Sequence, residues 1–548
     1  MDNPLRIGIL LDQFEVAAWE YSVVEQIVAL DGVEIALVAL NNQPPHPHSL
    51  GALVRENWHE ASYYLLHKLD RKLFSARPDA FARRNLQALL AHTPTITAAL
   101  SQPHAAEHIA AQQIDILVHL GAERPHPAWA QAARFGVWAY HHGDPRSPHS
   151  RPPGFWETAE NRPVTGVALQ ILGQQPGEEI LLHQAWFPTY PFSPAMNRQL
   201  FLWTASTFMA REIARLQTLG PQTYFEHVRR RKPPLPIYDG KTYAIPHNIQ
   251  AIKIALRLAY RIVARKLSDL LFQERWLLLY RFQDQPLFQP SLFEKITAPP
   301  GRYWADPQVI ARDDRYAVFF EEYDRENDKG RIAVIQLDEK GNQSEPVVVL
   351  DEPTHLSYPF VFSWQDQLYM IPESAANRTI DLYECVEFPH KWRFKMHLMQ
   401  NIRAADATLL HHHGKWWLFA TVAAMPGISL NHELHLFFAD DFASNAWTPH
   451  PLNPIVSDVR RARPAGRILQ QDGRLIRPAQ NSARGYGRSI TFNEIITLSE
   501  TDYEERPIDA MHPTWEPSII GVHTFQREGR LTIIDALEKR KRWKRAQS

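Results

Sequence analysis

Two groups of residues in this chain have the types and spacing for chemistry. The stretch Tyr140–Trp156, YHHGDPRSPHSRPPGFW, gathers His141, His142, Asp144 and His149 with two arginines in one proline-stiffened run. Imidazole beside carboxylate suits general acid–base work, because histidine titrates near neutral pH and a carboxylate can orient it or accept a proton. The same side chains are metal-ligand types, but with 26 histidines in the chain a His-His pair is ordinary and no metal is assigned. His411–His413 precedes Gly414 and reads as a turn, since successive strand residues point to opposite faces and cannot chelate together. The second group is Asp306, Glu373 and Asp406 with Arg460, Arg461, Arg463 and Arg477. Two carboxyl groups about 5–10 Å apart, one of them protonated, can cleave a glycosidic bond. Forked guanidinium groups suit phosphate or carboxylate.

The elements that must position these residues fall into three regions: an α/β domain over 1–195, a helical linker over 196–288 and an all-β domain over 289–540. RIGILL at Arg6–Leu11 and VEIALVAL at Val33–Leu40 flank a helix-period stretch, giving a βαβ unit and a Rossmann-type parallel sheet. DILVHLG, GVWAYH and TGVALQIL continue it, so the histidine-rich stretch falls at the carboxyl end of a strand, where open α/β sheets hold ligands. Ile249–Phe282 reads as one long helix with Lys253, Arg257, Arg261 and Arg265 on a basic ridge and Ile252, Leu256, Ala259, Ile262 and Val263 opposite. Either it docks two domains with its basic side solvated, or it lies on an anionic membrane surface. Beyond it, strand–turn–strand units begin at Trp304, Tyr358, Ala405, Ala462 and Pro517, roughly 50 residues apart. They predict a five-bladed β-propeller in which Asp306 and Asp406 open innermost strands and face one another.

Composition narrows the function classes. The chain has 548 residues, 45% apolar and 22% charged, as a multidomain globular protein has. Its net charge of −1 supplies no field for nucleic acid, which is excluded as a partner. A single cysteine, Cys385, fits a reducing compartment, and the first residues lack a signal-peptide pattern, so a cytoplasmic or membrane-peripheral protein is expected.

Two resemblances extend this reading. His142-Gly143, Pro153-Gly154, Trp156 and Thr165-Gly166-Val167, in that order, resemble the signature region of the folate-dependent formyltransferases, over about residues 5–190. That resemblance implies 10-formyltetrahydrofolate as formyl donor and His142 as the group that stabilises the tetrahedral intermediate. Tyr140 stands where the family has an asparagine and Gln175 where it has an aspartate; Asp144 and Glu178 are the carboxylates left to relieve the amine of its proton. The second is carried by HLSYPFVF, YMIPESAANRTIDLYEC, FPHKW, DATL, KWWLF, WTPHPLNPIVSDVRRARPAGR, RPAQ and GYG. Over about residues 300–535 these resemble the N-terminal domain of the plant glucosamine inositolphosphorylceramide transferases, related to family 43 glycosidase propellers. It implies a carbohydrate-related propeller with Asp306, Glu373, Asp406 and Arg463 at its mouth, where Ala462-Arg463-Pro464 stands in place of the family 43 acid.

Three functions follow as expectations. One is formyl transfer to an amino sugar or sugar nucleotide, with the propeller holding a glycan or glycolipid. The second is a catalytically degenerate scaffold whose propeller recognises a sugar phosphate. The third is glycoside hydrolysis by Asp306, Asp406 and Glu373.

Overall fold

Runs of buried aliphatic residues build the first sheet. Strand β1 (Leu5–Leu11) lies at its centre, flanked by β2 (Val33–Asn41) and then β3 (Thr95–Ala98) on one side. On the other side come β4 (Ile116–His119), β5 (Val137–His142), β6 (Val164–Ile171) and β7 (Ile180–Pro188). The first five strands run parallel, β6 runs antiparallel to both its neighbours and β7 again follows the first five, so the sheet is mixed rather than the all-parallel one expected. The computed structural model describes residues 4–42, 57–143, 152–230, 243–284 and 293–542, apart from 122, 176 and 313. They divide into two units, Met1–Val263 and Ala264–Ser548.

The expected 196–288 linker is not a separate body. Helices α3 (Pro194–Ala205) and α4 (Phe208–Arg230) bury Phe201, Leu202, Phe208, Ile213 and Leu216 in one core with α1 (Ala18–Val28) and the sheet. Their apolar stripes face β-sheet, which is where their burial stabilises the fold. Helix α2 (Ala61–Leu73) and α5 (Asn248–Leu271) meet in a smaller cluster in which Tyr63, Phe155 and Trp156 pack on Ala251, Ile254 and Leu258. That explains the Phe-Trp end of the histidine-rich stretch: it is core.

The long helix expected over 249–282 ends at Leu271, and Phe272–Phe282 is a strand, β8. FQERWLLLYRF is apolar at successive positions because both faces of β8 are buried. Leu277 and Leu279 face one interior cluster, Leu278 and Tyr280 the next. Strand β8 pairs antiparallel with β12 (Leu531–Lys541) from Phe272↔Lys541 to Phe282↔Leu531. This pairing completes the fifth blade with a strand from the opposite end of the unit. The other blades start with innermost strands β9 (Arg302–Arg312), β10 (Ser357–Trp364) and β11 (Ala404–His412), and with Leu469–Gln471 in the fourth. The expected five-bladed propeller is therefore present. Five buried clusters, one at each junction between adjacent blades, hold the ring together.

Candidate functional site

A repeated irregularity aims the axial side chains. In β9 the pairing register slips between Ala305 and Gln308, and Asp306 sits in the slip at φ 54°. The slip recurs in β10 between Ser357 and Phe360, with Tyr358 at φ 40°, and in β11 between Ala405 and Thr408, with Asp406 at φ 54°. A bulge residue in the left-handed region bends its strand and redirects its side chain. The small residues Ala305, Ser357 and Ala405 precede it each time. Consequently Asp306, Tyr358 and Asp406 interlock. The Tyr358 N–H donates to Asp306 Oδ2 at 3.3 Å, and its hydroxyl meets Thr408 Oγ1 at 2.9 Å and accepts the Gly466 N–H at 2.9 Å. Gly466 has φ 131°, and a Cβ there would overlap the Phe525 carbonyl oxygen, so only glycine lets the fourth blade pass the fifth.

Blade five adds a buried charge relay of three groups. Thr524 Oγ1 donates to Asp306 Oδ1 at 2.9 Å, and His523 Nε2 lies 3.2 Å from the same oxygen. His523 Nδ1 lies 2.8 Å from Asp535 Oδ2. Asp535 accepts the backbone N–H groups of His523 and Thr524 at 2.9 Å and of Asp306 at 3.0 Å. Burial opposes a charge on His523, but Asp535 and Asp306 override it and raise the imidazole to about 10. Asp306 is correspondingly held below the usual carboxylate range: burial works against its charge, and His523, Thr524 and Arg463 outweigh burial. By distance Asp306, His523 and Asp535 form a candidate metal triad. His523 lies between the two carboxylates and, as an imidazolium, offsets one of their two negative charges.

Arg463 organises the other half. Its Nε and Nη2 reach Asp406 at 2.6 and 3.1 Å, Nη2 also reaches Glu373 at 3.1 Å, and Nη1 donates to Asn431 Oδ1 at 3.1 Å. Gln480 Nε2 donates to Asp406 Oδ2 at 2.8 Å. Arg460 pairs with Asp458, and Arg477 with Glu505. The arginines expected to take a phosphate are thus engaged with carboxylates of the propeller itself. Burial pushes Glu373 well above the usual range, more than Arg463 offsets, and Asp406 adds to the rise. Glu321, opposite Ala305 in the second strand of blade one, is pushed up to about 8 by burial and by Asp306. The axis therefore sets two carboxyl groups that hold their protons more tightly than usual, Glu373 and Glu321, beside Asp306, which holds its proton less tightly, the opposed tuning that acid–base sites use. Tyr486, 42% exposed, lies with its ring 5.2 Å from the Arg463 guanidinium, and the Trp276 ring is 4.1 Å from that of His523.

The structure brings Asp306, Glu373, Asp406 and Arg463 into one network. Sequence reasoning missed Glu321, Tyr358, Tyr486, His523 and Asp535. Tyr358 had a signal, since Ser357-Tyr358-Pro359 repeats the Ala305-Asp306-Pro307 pattern. His523 and Asp535 had none, because ring closure alone brings them to Asp306.

Among the described residues, His142 and Gln175, both expected in a formyltransferase site, lie apart. His142, half-buried, ends β5 among the rings of Trp19, Tyr140 and Phe201, at centroid distances of 5.7, 6.3 and 5.8 Å. Tyr140, half-buried, belongs to the same cluster, and desolvation of its hydroxyl raises it well above the ordinary value. Pairing of β5 with β6 sets His142 opposite Val167 and Trp138 opposite Ile171. Gln175, exposed and four residues past Ile171, consequently lies at the other end of the sheet from His142. Asp144 lies outside the described residues. The described residues therefore do not fit 10-formyltetrahydrofolate as the resemblance placed it. Gly166 has a structural role: a Cβ there would come within 2.8 Å of the Gly143 carbonyl oxygen and of the Trp186 ring.

Two cavities lie away from the axial carboxyl cluster. One of about 1460 Å³, lined by Arg6, Asp115, Gly136 and Gln174 among others, opens at the amino ends of the parallel strands. That is the edge opposite the usual ligand edge. The other, about 770 Å³, is in the propeller where β9–β11 leave the axis, and is lined by Phe360, Trp364, Trp416 and Arg467 among others.

Residues 285–517 match the family described as glucosamine inositolphosphorylceramide transferase 1, N-terminal. Glucosamine inositolphosphorylceramide transferase 1 of Arabidopsis thaliana is 33% identical over 209 residues, covering 38% of this chain and 27% of the relative. Its Oryza sativa subsp. japonica counterpart is 32% identical over 213 residues, covering 38% and 28%. The matched region is thus less than a third of the length of these curated relatives. Solved structures similar to the chain include Zg3597, a family 117 glycoside hydrolase of Zobellia galactanivorans, at TM-score 0.32 and 11% identity over 48% of this chain and 90% of that one. Bacteroides ovatus GH43B is similar at TM-score 0.30 and 10% identity over 41% and 46%.

Proposed function

We propose that the propeller recognises the sugar-bearing head of a glycolipid or glycan at its axial carboxyl cluster. The observation that carries this is the convergence of Asp306, Tyr358 and Asp406 from three successive bulges, with Glu373 and Asp406 bridged by Arg463. Carboxyl oxygens accept and the Arg463 guanidinium and Gln480 amide donate at this cluster, a mixture that suits a ligand made of hydroxyl groups. Tyr486 offers an exposed aromatic face for the apolar side of a sugar ring. The match of 285–517 supports this substrate class, because the relatives are named for glucosamine and inositolphosphorylceramide. The α/β unit carries no part of this reading.

Calorimetric titration of the full chain with glucosamine, inositol phosphate and an immobilised glycan panel tests it. At least one carbohydrate is expected to bind, and Tyr486→Ala, at an exposed position, to weaken binding about tenfold, as the loss of one stacked ring does. A panel without any bound sugar, or binding indifferent to both Tyr486→Ala and Glu373→Ala, overturns the reading.

A second reading, glycoside cleavage, is favoured by the opposed shifts of Glu373 and Asp306. Glu373 would protonate the departing glycosidic oxygen while Asp306 would take a proton from the water whose oxygen forms the new bond to the anomeric carbon. Turnover of nitrophenyl glycosides is then expected to fall roughly 100-fold or more in Glu373→Gln. Turnover that survives that substitution removes the reading.

A further inference from the structure

More than half of the exposed large apolar side chains among the described residues belong to α2, α5 and the start of α2. The packing of α5 inverts its expected orientation. Ala251, Ile254 and Leu258 are buried, while Ile249, Ile252, Leu256, Tyr260 and Val263 are 71, 51, 66, 74 and 55% exposed. At 100° per residue these five fall within a sector of about 80°. Helix α2 repeats the pattern: Leu65, Leu69 and Leu73, each four residues apart, are 54, 49 and 74% exposed, and Trp58 just before the helix is 73% exposed. The two helix starts are joined through Asn248, whose side chain accepts the Ser62 N–H at 2.8 Å and donates to the Trp58 carbonyl at 2.9 Å.

The exposed charge beside these stripes over 57–73 and 248–263 is basic. Lys68, Arg71, Lys72, Lys253 and Arg257 are exposed. Residues 248–263 contain no Asp or Glu, and the one acid of α2, Asp70, is buried and accepts the Ala195 N–H at 2.8 Å. Arg261 is the basic residue that is not solvated: it donates to the carbonyls of Thr158, Ala159 and Pro191 at 2.6, 3.0 and 3.1 Å. Glu60, half-buried, accepts the Tyr64 hydroxyl, and Asp269, farther along α5, pairs with Arg265. Apolar stripes with tryptophan and tyrosine, bordered by exposed lysine and arginine, are the pattern of helices that lie in the plane of an anionic bilayer.

We infer that the α2–α5 face of the N-terminal unit docks on an anionic lipid surface. The apolar stripes enter the acyl boundary, and the lysines and arginines reach the headgroups. This inference stands on the N-terminal unit and is independent of what the propeller binds. No helix among the described residues is long and apolar enough to cross a membrane, so the attachment is in-plane.

Co-sedimentation of the full chain with phosphatidylcholine vesicles, with and without about 30 mol% phosphatidylserine, tests it. The expected result is at least tenfold greater partitioning to the anionic vesicles, declining as salt is raised. Leu256→Asp with Tyr260→Ser, and separately Lys253→Glu with Arg257→Glu, should each lower it at least tenfold, while the thermal midpoint stays that of the parent. No partitioning, equal partitioning to both vesicles, or partitioning indifferent to both double variants overturns the inference. So does a dimer in solution that the apolar double variant converts to monomer, because the stripe would then belong to a second copy of the chain.

Discussion

His523 keeps its proton because Asp535 and Asp306 lie on either side of it, and that proton ties blade five to blade one. Its folded value of about 10 lies above the ordinary 6.5, so its stabilisation is complete below about pH 6.5 and is lost as pH rises towards 10. Glu321 acts in the same direction by a different route. Raised from 4.5 to about 8, it retains in the folded state a proton that the unfolded chain has released, so stability falls as pH rises from 4.5 to 8. The thermal midpoint of the protein is therefore expected to decline between pH 6 and 10. Glu321→Gln keeps a neutral amide in the same place and should flatten the portion below pH 8. A pH profile as steep as the parent's would show that Glu321 is not protonated in the fold. His523 was illegible in the sequence for a physical reason: its neighbour Thr524 and Asp306, which are bonded directly, are 218 positions apart, and only closure of the ring joins them. Asp306 and Asp406 were legible because each sits at the start of a repeated strand.

At the scale of elements, the blades announce themselves through alternating strands and turn residues, and the repeat gives their number. The element that closes the ring does not. Strand β8 follows a helix without a glycine or proline between them, and its apolar run fits a helix or a doubly buried strand equally well. What decides is the partner, β12, more than 240 residues away, and no local propensity encodes it. A similar ambiguity hid the orientation of α5, where the stripe read as packing is the exposed one. If β8 is integral to the propeller, trimming its buried side chains must be costly. Leu278, wholly buried between the first and fifth blades, should cost about 2–5 kcal/mol on Leu278→Ala, read as a lower urea midpoint. Leu256→Ser, on the exposed face of α5, should stay within about 0.5 kcal/mol of the parent. A Leu278→Ala protein as stable as the parent would mean that the pairing of β8 with β12 contributes little to the closed ring.

At the scale of the whole molecule, the division of apolar burial is the governing fact. The core clusters of the N-terminal unit draw on residues from Leu5 to Leu258, and the five interblade clusters on residues from Leu277 to Ala536; no described cluster draws on both units. Because burial of apolar surface is the main favourable term in folding, two units with separate cores should each hold their structure alone. The propeller also carries both ends of its own closure, β8 and β12, within Ala264–Ser548. Proteins of residues 264–548 and 1–263 are accordingly expected to unfold cooperatively by themselves, the propeller at a urea midpoint close to its transition in the full chain. The two functional readings should separate along the same line. Carbohydrate binding should remain with residues 264–548, and vesicle binding with residues 1–263, each at the affinity of the full chain within about threefold. A propeller that expresses as a collapsed, non-cooperative species would show that the N-terminal unit supplies stability that the five interblade clusters do not. Sugar affinity lost along with the N-terminal unit, from a propeller that still unfolds cooperatively, would show instead that the axial carboxyl cluster is only part of the binding site.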